Sequence, residues 1–453
     1  MEEKTEKQKA KEQYYFASRK IDEEAFEKER ESLKEINGRK LINKWRGYFK
    51  FTGPGFILSG LTLGAATAGS AIMAGSLFGY DLLWVNPLGR IFGIIVLAAI
   101  GYQVCFTGQR PYKVVWDKLH PALAIFWGIN VLFAATIFQF PQYSLGAAVA
   151  KDIFAVFNIN MPTWIIVVVF LSVTSSMCWS YGTKRKSIIL FEKTVMWIVW
   201  IFILALVLVI IKTGVNWGET FKGFFFFKIP HDIRGIMIIL GLLGASVGVN
   251  TTFIYPYMML ARKWVKEHNG LKDFDLVFSM LIPTIIVPSL LIIAVANTLH
   301  VKGIEAKNAV DVAHTLEPII GLTTSRIVFS LGLLGKCLAT MVIEMLVCGF
   351  VLAEMLGFDP RGWKFKVTTS VANVGILGAF MPLPFWVPVA TSALNLVMAP
   401  IAFIFFFILQ NRKDYLGENV NKGWKGYLWN FLMLVSIFIS ALGTAGYIID
   451  KLF

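Results

Sequence analysis

The chain has 453 residues, of which 56% are hydrophobic and 16% are charged, and its formal net charge is +14. Its mean hydropathy is +0.63, and soluble globular domains are neither so apolar nor so poor in charge, so the composition excludes that class. The basic residues fall mainly in short segments between apolar runs, which indicates membrane topology rather than nucleic-acid binding.

Residues 1–47 form a charged N-terminal segment in which Ile21, Phe26, Leu33 and Leu41 recur at loosely helical intervals. This segment contains no apolar run of the kind that a signal peptide needs. We therefore expect a cytoplasmic amphipathic segment that forms a solvated helix. Binding of a cytoplasmic partner is the alternative role for it.

The rest of the chain, residues 48–453, reads as a single transmembrane domain. Apolar stretches of about 17 to 25 residues are long enough to cross a bilayer as helices, and the sequence contains about eleven of them. We number them spans 1 to 11, near 54–77, 83–106, 122–148, 163–182, 191–211, 235–260, 276–299, 327–354, 367–384, 387–409 and 427–449. The predicted fold class is therefore all-α transmembrane.

Charge in the connections predicts the orientation of these spans. Alternate connections carry clusters of Lys and Arg on the same side as the N-terminal segment, and basic loops mark the cytoplasmic side. These residues are Arg110, Lys113, Lys118, Lys184, Arg185, Lys186, Arg262, Lys263, Lys266, Arg361, Lys364, Lys366, Arg412 and Lys413. We expect a multi-pass protein of the cell membrane with a cytoplasmic N-terminus and the C-terminus outside.

Two glycine-rich interruptions suggest an internal repeat. Span 1 contains Leu63-Gly64-Ala65-Ala66-Thr67-Ala68-Gly69, and span 6 contains Leu243-Gly244-Ala245-Ser246-Val247-Gly248-Val249-Asn250-Thr251-Thr252. The interruptions lie five spans apart, and an odd separation gives the two halves opposite orientations. Broken helices in an inverted repeat form the substrate site of many transporters, although small residues also serve simply to pack helices closely. The repeats would cover about 50–212 and 233–410, with 427–449 as an extra helix.

The interruptions predict the substrate site. Where a helix unwinds inside a membrane, its free carbonyl groups need partners, and hydroxyl and amide side chains nearby add oxygen ligands. The predicted substrate-binding residues are Gly64, Ala65, Thr67, Ser246, Gly248, Asn250 and Thr251.

Polar residues inside other spans are candidates for the coupling or transport pathway, because ionisable groups at membrane depth are costly. Lys336 and Glu344 lie in span 8, eight residues apart, which is about 12 Å along a helix and too far for a direct ion pair. Gln139 and Gln142 flank a proline in span 3 and either satisfy backbone groups or line the pathway. We interpret two further charged residues nearer the span ends as interfacial anchors; these are Arg90 and Glu192.

Further motifs surround the interruptions. Span 1 opens with Gly53-Pro54-Gly55-Phe56 and is followed by Gly79-Tyr80-x2-Leu83-Trp84-Val85. Other motifs are Thr107-Gly108, Glu192-Lys193, Leu243-Gly244-Ala245, Pro318-Ile319-Ile320-Gly321 and Pro400. From about residue 50 to its end, the chain resembles the Nramp family of proton-coupled divalent-metal transporters. The resemblance implies a LeuT-like inverted repeat of five plus five helices in which spans 1 and 6 are broken.

The resemblance does not extend to the family's metal ligands. The family has an Asp-Pro-Gly-Asn motif in span 1 and a Met-Pro-His motif in span 6, whereas this chain has Gly64-Ala65-Ala66-Thr67 and Gly248-Val249-Asn250 at the matching positions. The family's acidic proton-relay residues in span 3 have no carboxylate counterpart in 135–143. The resemblance therefore gives no metal ligand set for this chain.

Three functions stay open. The first is transport of a hard, partly hydrated divalent ion such as Mg²⁺ or Mn²⁺ with weak or absent proton coupling, since hard ions accept oxygen ligands. The second is a carrier of a small polar organic solute or anion, with Lys336 compensating charge. The third is a non-transporting receptor or scaffold. No nucleotide loop, HExxH motif or catalytic triad is evident, so we expect neither an enzyme nor a cofactor.

Overall fold

The computed structural model describes residues 23–181, 185–306, 322–360, 362–381, 383–384 and 386–452. Residues 1–22 of the N-terminal segment and the Pro318-Ile319-Ile320-Gly321 motif lie outside the described residues. Within the described part, nine helices are long and apolar enough to cross a membrane, and one bent helix pair makes a tenth span.

The membrane-spanning segments follow the predicted order. Their bounds are Pro54–Thr62 with Ala65–Phe78 (span 1), Val85–Thr107 (span 2), Pro121–Val156 (span 3), Thr163–Ser180 (span 4), Arg185–Thr213 (span 5), Ile233–Gly244 with Val249–Ala261 (span 6), Leu276–Leu281 with Ile282–Thr298 (span 7), Leu322–Leu356 (span 8), Trp363–Thr369 with Ser370–Phe380 (span 9), Trp386–Gln410 (span 10) and Gly423–Leu452 (span 11). Shorter helices cover Pro111–Lys118, Trp217–Phe225, Asn269–Asp275 and Lys413–Leu416, and 3₁₀ turns cover Lys266–His268, His300–Lys302 and Gly417–Asn419.

Span 9 differs from the other spans because most of it is a 3₁₀ helix. Seven α-helical residues are followed by eleven 3₁₀ residues. With rises of about 1.5 and 2.0 Å per residue, the two helices together are about 30 Å long, which is comparable to the thickness of a hydrocarbon core. Span 9 packs closely against span 3, where a Cβ added at Gly375 would lie 2.7 Å from the carbonyl carbon of Gln139. The ninth predicted span is therefore helical, but in a tighter form than the apolar pattern indicates, and it is not among the ten spans counted above, so an eleventh crossing stays a prediction.

Two N-terminal helices, Glu23–Asn37 and Leu41–Tyr48, precede span 1. The first of them is not solvated on every face, since the side chain of Leu33 is completely buried. Arg30 forms an ion pair with Glu267 at 3.0 Å, on the segment that joins spans 6 and 7. This helix therefore packs against the protein through its apolar face and exposes its charged face.

Candidate functional site

The interruption of span 1 is the first element of the site. The span consists of two helices, Pro54–Thr62 and Ala65–Phe78, which meet at an angle of 54°. Across the gap, the hydroxyl group of Thr67 donates a hydrogen bond to the carbonyl oxygen of Thr62. A side chain therefore satisfies one of the carbonyl groups that the break leaves without a helical partner.

Span 3 stabilises the same break from the side. The side-chain oxygen of Gln142 accepts a hydrogen bond of 2.9 Å from the backbone N–H of Ala65, the first residue of the second helix. Gly64 makes this approach possible, because an added Cβ there would lie 2.8 Å from the Gln142 oxygen and 2.6 Å from the hydroxyl oxygen of Thr340. Gln142 thus serves the broken backbone of span 1 rather than the proline in its own helix.

The interruption of span 6 covers the four residues 245–248, between a helix that ends at Gly244 and one that begins at Val249. Asn395 of span 10 bridges it. Its side-chain oxygen accepts from the N–H of Val249 at 3.2 Å, and its side-chain nitrogen donates to the carbonyl oxygen of Gly244 at 3.4 Å. A Cβ at Gly248 would overlap the amide of Asn395. Glycine at this position therefore makes room for the bridging amide.

A carboxylate reaches the site from span 8. The side-chain nitrogen of Asn250 donates a hydrogen bond of 2.6 Å to Oε1 of Glu344. The side chain of Glu344 is completely buried, and among the described residues its Oε2 atom has no hydrogen-bond partner. A buried carboxylate oxygen without a partner is costly. Glu344 thus brings an ionisable carboxyl group, with one oxygen unpartnered among the described residues, next to the break in span 6.

A small cavity of about 10 Å³, room for about one water molecule, lies between the two interruptions. Spans 1, 3, 6 and 10 line it. The lining residues are Leu61, Thr62, Gly64, Ala66, Thr67, Phe138, Gln142, Ala245, Gly248, Asn250, Thr251 and Asn395. The polar groups on this list are hydroxyls, side-chain amides and backbone carbonyls, and these are oxygen ligands for a hard cation or hydrogen-bond partners for a polar solute.

The cavity brings together most of the predicted substrate-binding residues. Gly64, Thr67, Gly248, Asn250 and Thr251 all line it. Ala65 takes part through its backbone N–H, which donates to Gln142.

The side chain of Ser246 points elsewhere. Its hydroxyl donates to the carbonyl oxygen of Leu242, and the residue lines a second cavity between spans 2, 6, 10 and 11.

The predicted pathway residues occupy different positions. Gln142 lines the cavity, and Glu344 contacts it through Asn250. Gln139 is buried beside span 8, where its side-chain nitrogen donates to the carbonyl oxygen of Met341 at 3.0 Å. The amine of Lys336 is completely buried, and it has no hydrogen-bond partner in the part of the chain that the structure describes.

The interpretation of Arg90 and Glu192 as interfacial anchors is wrong. Arg90 is 1% exposed and contacts the break of span 6, while Glu192 is 2% exposed and lies 3.3 Å from the guanidinium of Arg262. Sequence reasoning also missed Asn395, whose signal is an amide in the middle of a largely apolar span.

Across the described ranges, no group of three or more His, Cys, Asp or Glu side chains forms a potential metal cluster. A cation in the central cavity would therefore be bound mainly by neutral oxygen atoms, with Glu344 as the nearby carboxyl group. Such a set suits a hard ion that keeps part of its water shell.

Comparisons with known proteins agree with this architecture. A family model described as natural resistance-associated macrophage protein-like (Nramp) matches residues 55–445. A divalent metal cation transporter MntH of Nostoc sp. is 22% identical over 414 residues, covering 88% of this chain and 90% of that protein.

Two solved structures share the fold. The manganese transporter of Eremococcus coleocola, in complex with an aromatic bis-isothiourea compound, superposes with a TM-score of 0.69 at 13% identity, covering 88% of this chain and 87% of that one. Mhp1, a nucleobase-cation-symport-1 family transporter, superposes with a TM-score of 0.57 at 15% identity, covering 88% and 92%. The LeuT-like fold is thereby confirmed.

Proposed function

The chain belongs to the Nramp family, and from that premise we propose that it is a secondary transporter that carries a divalent metal cation across a membrane. Its relatives by sequence include transporters named for divalent metal cations. The cargo would bind in the cavity between the interruptions of spans 1 and 6, where broken helices of this fold class expose backbone groups.

The observation that carries the proposal is the contact between Asn250 and Glu344. It places a buried carboxylate 2.6 Å from an amide that lines the cavity. A dehydrated or partly hydrated divalent ion needs negative charge nearby, because its interaction with neutral dipoles alone does not replace the lost water. Glu344 supplies that charge from span 8 in place of a carboxylate in span 1.

The ligand chemistry favours a hard ion such as Mg²⁺ or Mn²⁺. The cavity lining offers oxygen atoms from Thr67, Gln142, Asn250 and Asn395, and none of the lining residues carries a sulfur atom or an imidazole. Soft and borderline metals prefer those absent ligands. We therefore propose selectivity altered toward hard, partly hydrated ions.

Weak or absent proton coupling is the second part of the proposal. Span 3 faces the cavity with Phe138 and Gln142, neither of which exchanges protons near neutral pH.

Basic loops favour a cytoplasmic N-terminus and a C-terminus outside.

Metal uptake into proteoliposomes tests the proposal. We expect uptake of Mn²⁺ or Mg²⁺ by the wild type and a loss of at least about tenfold in Thr67→Ala and Asn250→Ala, since each variant removes one oxygen ligand. The matched controls are Thr194→Ala and Asn130→Ala, because among the described residues those side chains bond only to the carbonyls one turn earlier in their own helices. Absence of flux for both ions in the wild type would refute the proposal.

Lys336 supports a second candidate, a carrier of a small polar organic solute or anion. Its buried amine lacks a hydrogen-bond partner among the described residues, and an anionic cargo would provide one. Thermal unfolding separates the two candidates: stabilisation by small organic anions, with no response to Mn²⁺ or Mg²⁺, would favour the solute carrier.

A further inference from the structure

Arg90 of span 2 packs against the interruption of span 6. Its Nη1 atom donates hydrogen bonds to the carbonyl oxygens of Ala245 and Ser246, at 2.8 and 2.9 Å. Both carbonyls belong to the non-helical residues 245–248, so they need a partner from outside their own helix. Ala245 also lines the central cavity. A positive charge therefore lies where the broken backbone gathers carbonyl oxygens.

Span 2 is shaped for this contact. A Cβ at Gly89 would lie 2.5 Å from the hydroxyl oxygen of Ser246, and a Cβ at Gly93 would collide with the side chain of Val247. The two glycines flank Arg90 on one helical face and let span 2 approach the broken segment closely. The approach is what allows the guanidinium to reach both carbonyls.

The guanidinium is held in place from a third span. Its Nε donates to the side-chain oxygen of Asn86 at 3.3 Å, and the side-chain nitrogen of Asn86 donates to the carbonyls of Thr284 and Ile285 in span 7, at 3.2 and 3.1 Å. Among the described residues Arg90 contacts only carbonyl and amide oxygens and no carboxylate. Carbonyl and amide dipoles are thus its only near counter-charges in that part of the chain.

We propose that Arg90 is a built-in cation that occupies the carbonyl groups of the span 6 interruption and so positions the Asn250 side of the break for the cargo. It takes the place that a small bound cation would take on freed carbonyl oxygens. Arg90 is a positioning residue that keeps these carbonyls from binding the cargo or a second ion. This inference deepens the proposed function. Its transport measurements rest on that function, whereas its stability measurements do not.

Chemical rescue of Arg90→Ala tests this inference. The substitution leaves two buried carbonyls without a donor and opens a space of guanidinium shape. We expect the purified variant to unfold at a lower temperature than the wild type, and ~10 mM guanidinium chloride to raise its midpoint by about 3–6 °C, as a ligand that binds only the folded state does. Urea at the same concentration has the same shape and N–H donors without the charge, and we expect it to have no such effect.

The matched control is Arg234→Ala, which removes a side chain that is 68% exposed and pairs with Glu305 at the surface. We expect neither guanidinium nor urea to change its midpoint or that of the wild type. An Arg90→Ala protein that is as stable as the wild type, or that responds equally to urea and guanidinium, would overturn the inference.

A second pair of variants applies if Arg90→Ala does not fold. Arg90→Lys keeps the charge and several donors, while Arg90→Met keeps only the apolar stem. We expect metal uptake by Arg90→Lys within about threefold of the wild type and a loss of about tenfold or more in Arg90→Met. Equal losses in both variants would overturn the role of the charge.

The stability measurements contain no cargo and so separate the two proposals. If guanidinium specifically rescues Arg90→Ala while the wild-type protein moves no metal, the built-in cation is upheld and metal transport is refuted. Metal uptake without rescue would do the opposite.

Discussion

Glu344→Gln is the substitution that addresses the metal site most specifically. Glutamine has nearly the same shape as glutamate and keeps an oxygen that accepts the hydrogen bond from Asn250, so the packing of span 8 is preserved. What changes is the negative charge. The matched control is Glu354→Gln in the same helix, where the native carboxylate lies 3.5 Å from Arg110 and not at the cavity.

The magnitude follows from the geometry. An ion bound to the oxygen of the Asn250 amide would lie roughly 6 Å from the Glu344 carboxylate, and at an effective dielectric constant of about 20 a divalent ion gains about 5 kcal/mol at that distance. Retained waters and the dipole of the new amide reduce the difference to about 2–3 kcal/mol, which corresponds to roughly 30- to 150-fold in affinity.

Isothermal titration of Mn²⁺ and Mg²⁺ into the purified protein measures this difference. We expect Glu344→Gln to bind both ions about two orders of magnitude more weakly, and Glu354→Gln to bind them with nearly native affinity. Native affinity in Glu344→Gln would refute the assignment of this carboxylate to the cargo.

Three other predictions concern packing, buried charge and the N-terminal helix. Gly248→Ala places a methyl group on the amide of Asn395, so we expect a loss of stability of about 1–3 kcal/mol and loss of uptake, measured by thermal unfolding and flux. Lys336→Met removes a buried amine that has no partner among the described residues, so we expect an equal or higher unfolding temperature. A large decrease in the unfolding temperature would contradict the view that this amine is buried without a stabilising partner. Leu33→Asp puts a charge on the buried face of the first N-terminal helix, so we expect tryptic cleavage within Glu23–Asn37 to accelerate about tenfold.

Two variants control for these effects. Gly218→Ala adds a methyl group in a short surface helix where the nearest atom outside the local backbone is 3.5 Å away, so we expect it to be neutral. Ser32→Asp introduces an acidic residue next to Leu33 at a position that is not buried, and it keeps every Lys and Arg of the same helix. Equal cleavage rates for Leu33→Asp and Ser32→Asp would contradict the packing of the buried face.

The broken spans were predictable because glycine and small residues interrupt long apolar runs at two related positions. Gly64 and the residues 245–248 are where the structure ends one helix and begins the next. The apolar pattern predicts span 9 as an α-helical crossing, but most of it is a 3₁₀ helix, and Gly375 packs closely against the backbone of span 3. Such packing is a tertiary effect that an apolar pattern does not contain. The domain limits at 47 and the repeats at 50–212 and 233–410 stay predictions.

The site was predictable only for the residues at the interruptions themselves. Thr67 and Asn250 line the cavity because they lie on the unwound segments. Asn395 and Arg90 reach the break of span 6 from spans 10 and 2, and sequence distance gives no information on that approach. Glu344 was recognised as a charge at depth, but its contact with Asn250 depends on how span 8 packs against span 6.

The central claim is that the cargo binds between the two broken helices, and anomalous diffraction from crystals grown with Mn²⁺ tests it most directly. We predict a manganese peak in the cavity lined by Thr67, Gln142, Asn250 and Asn395, with Glu344 nearby. A manganese peak at another place in the protein, with this cavity filled only by water, would contradict the claim.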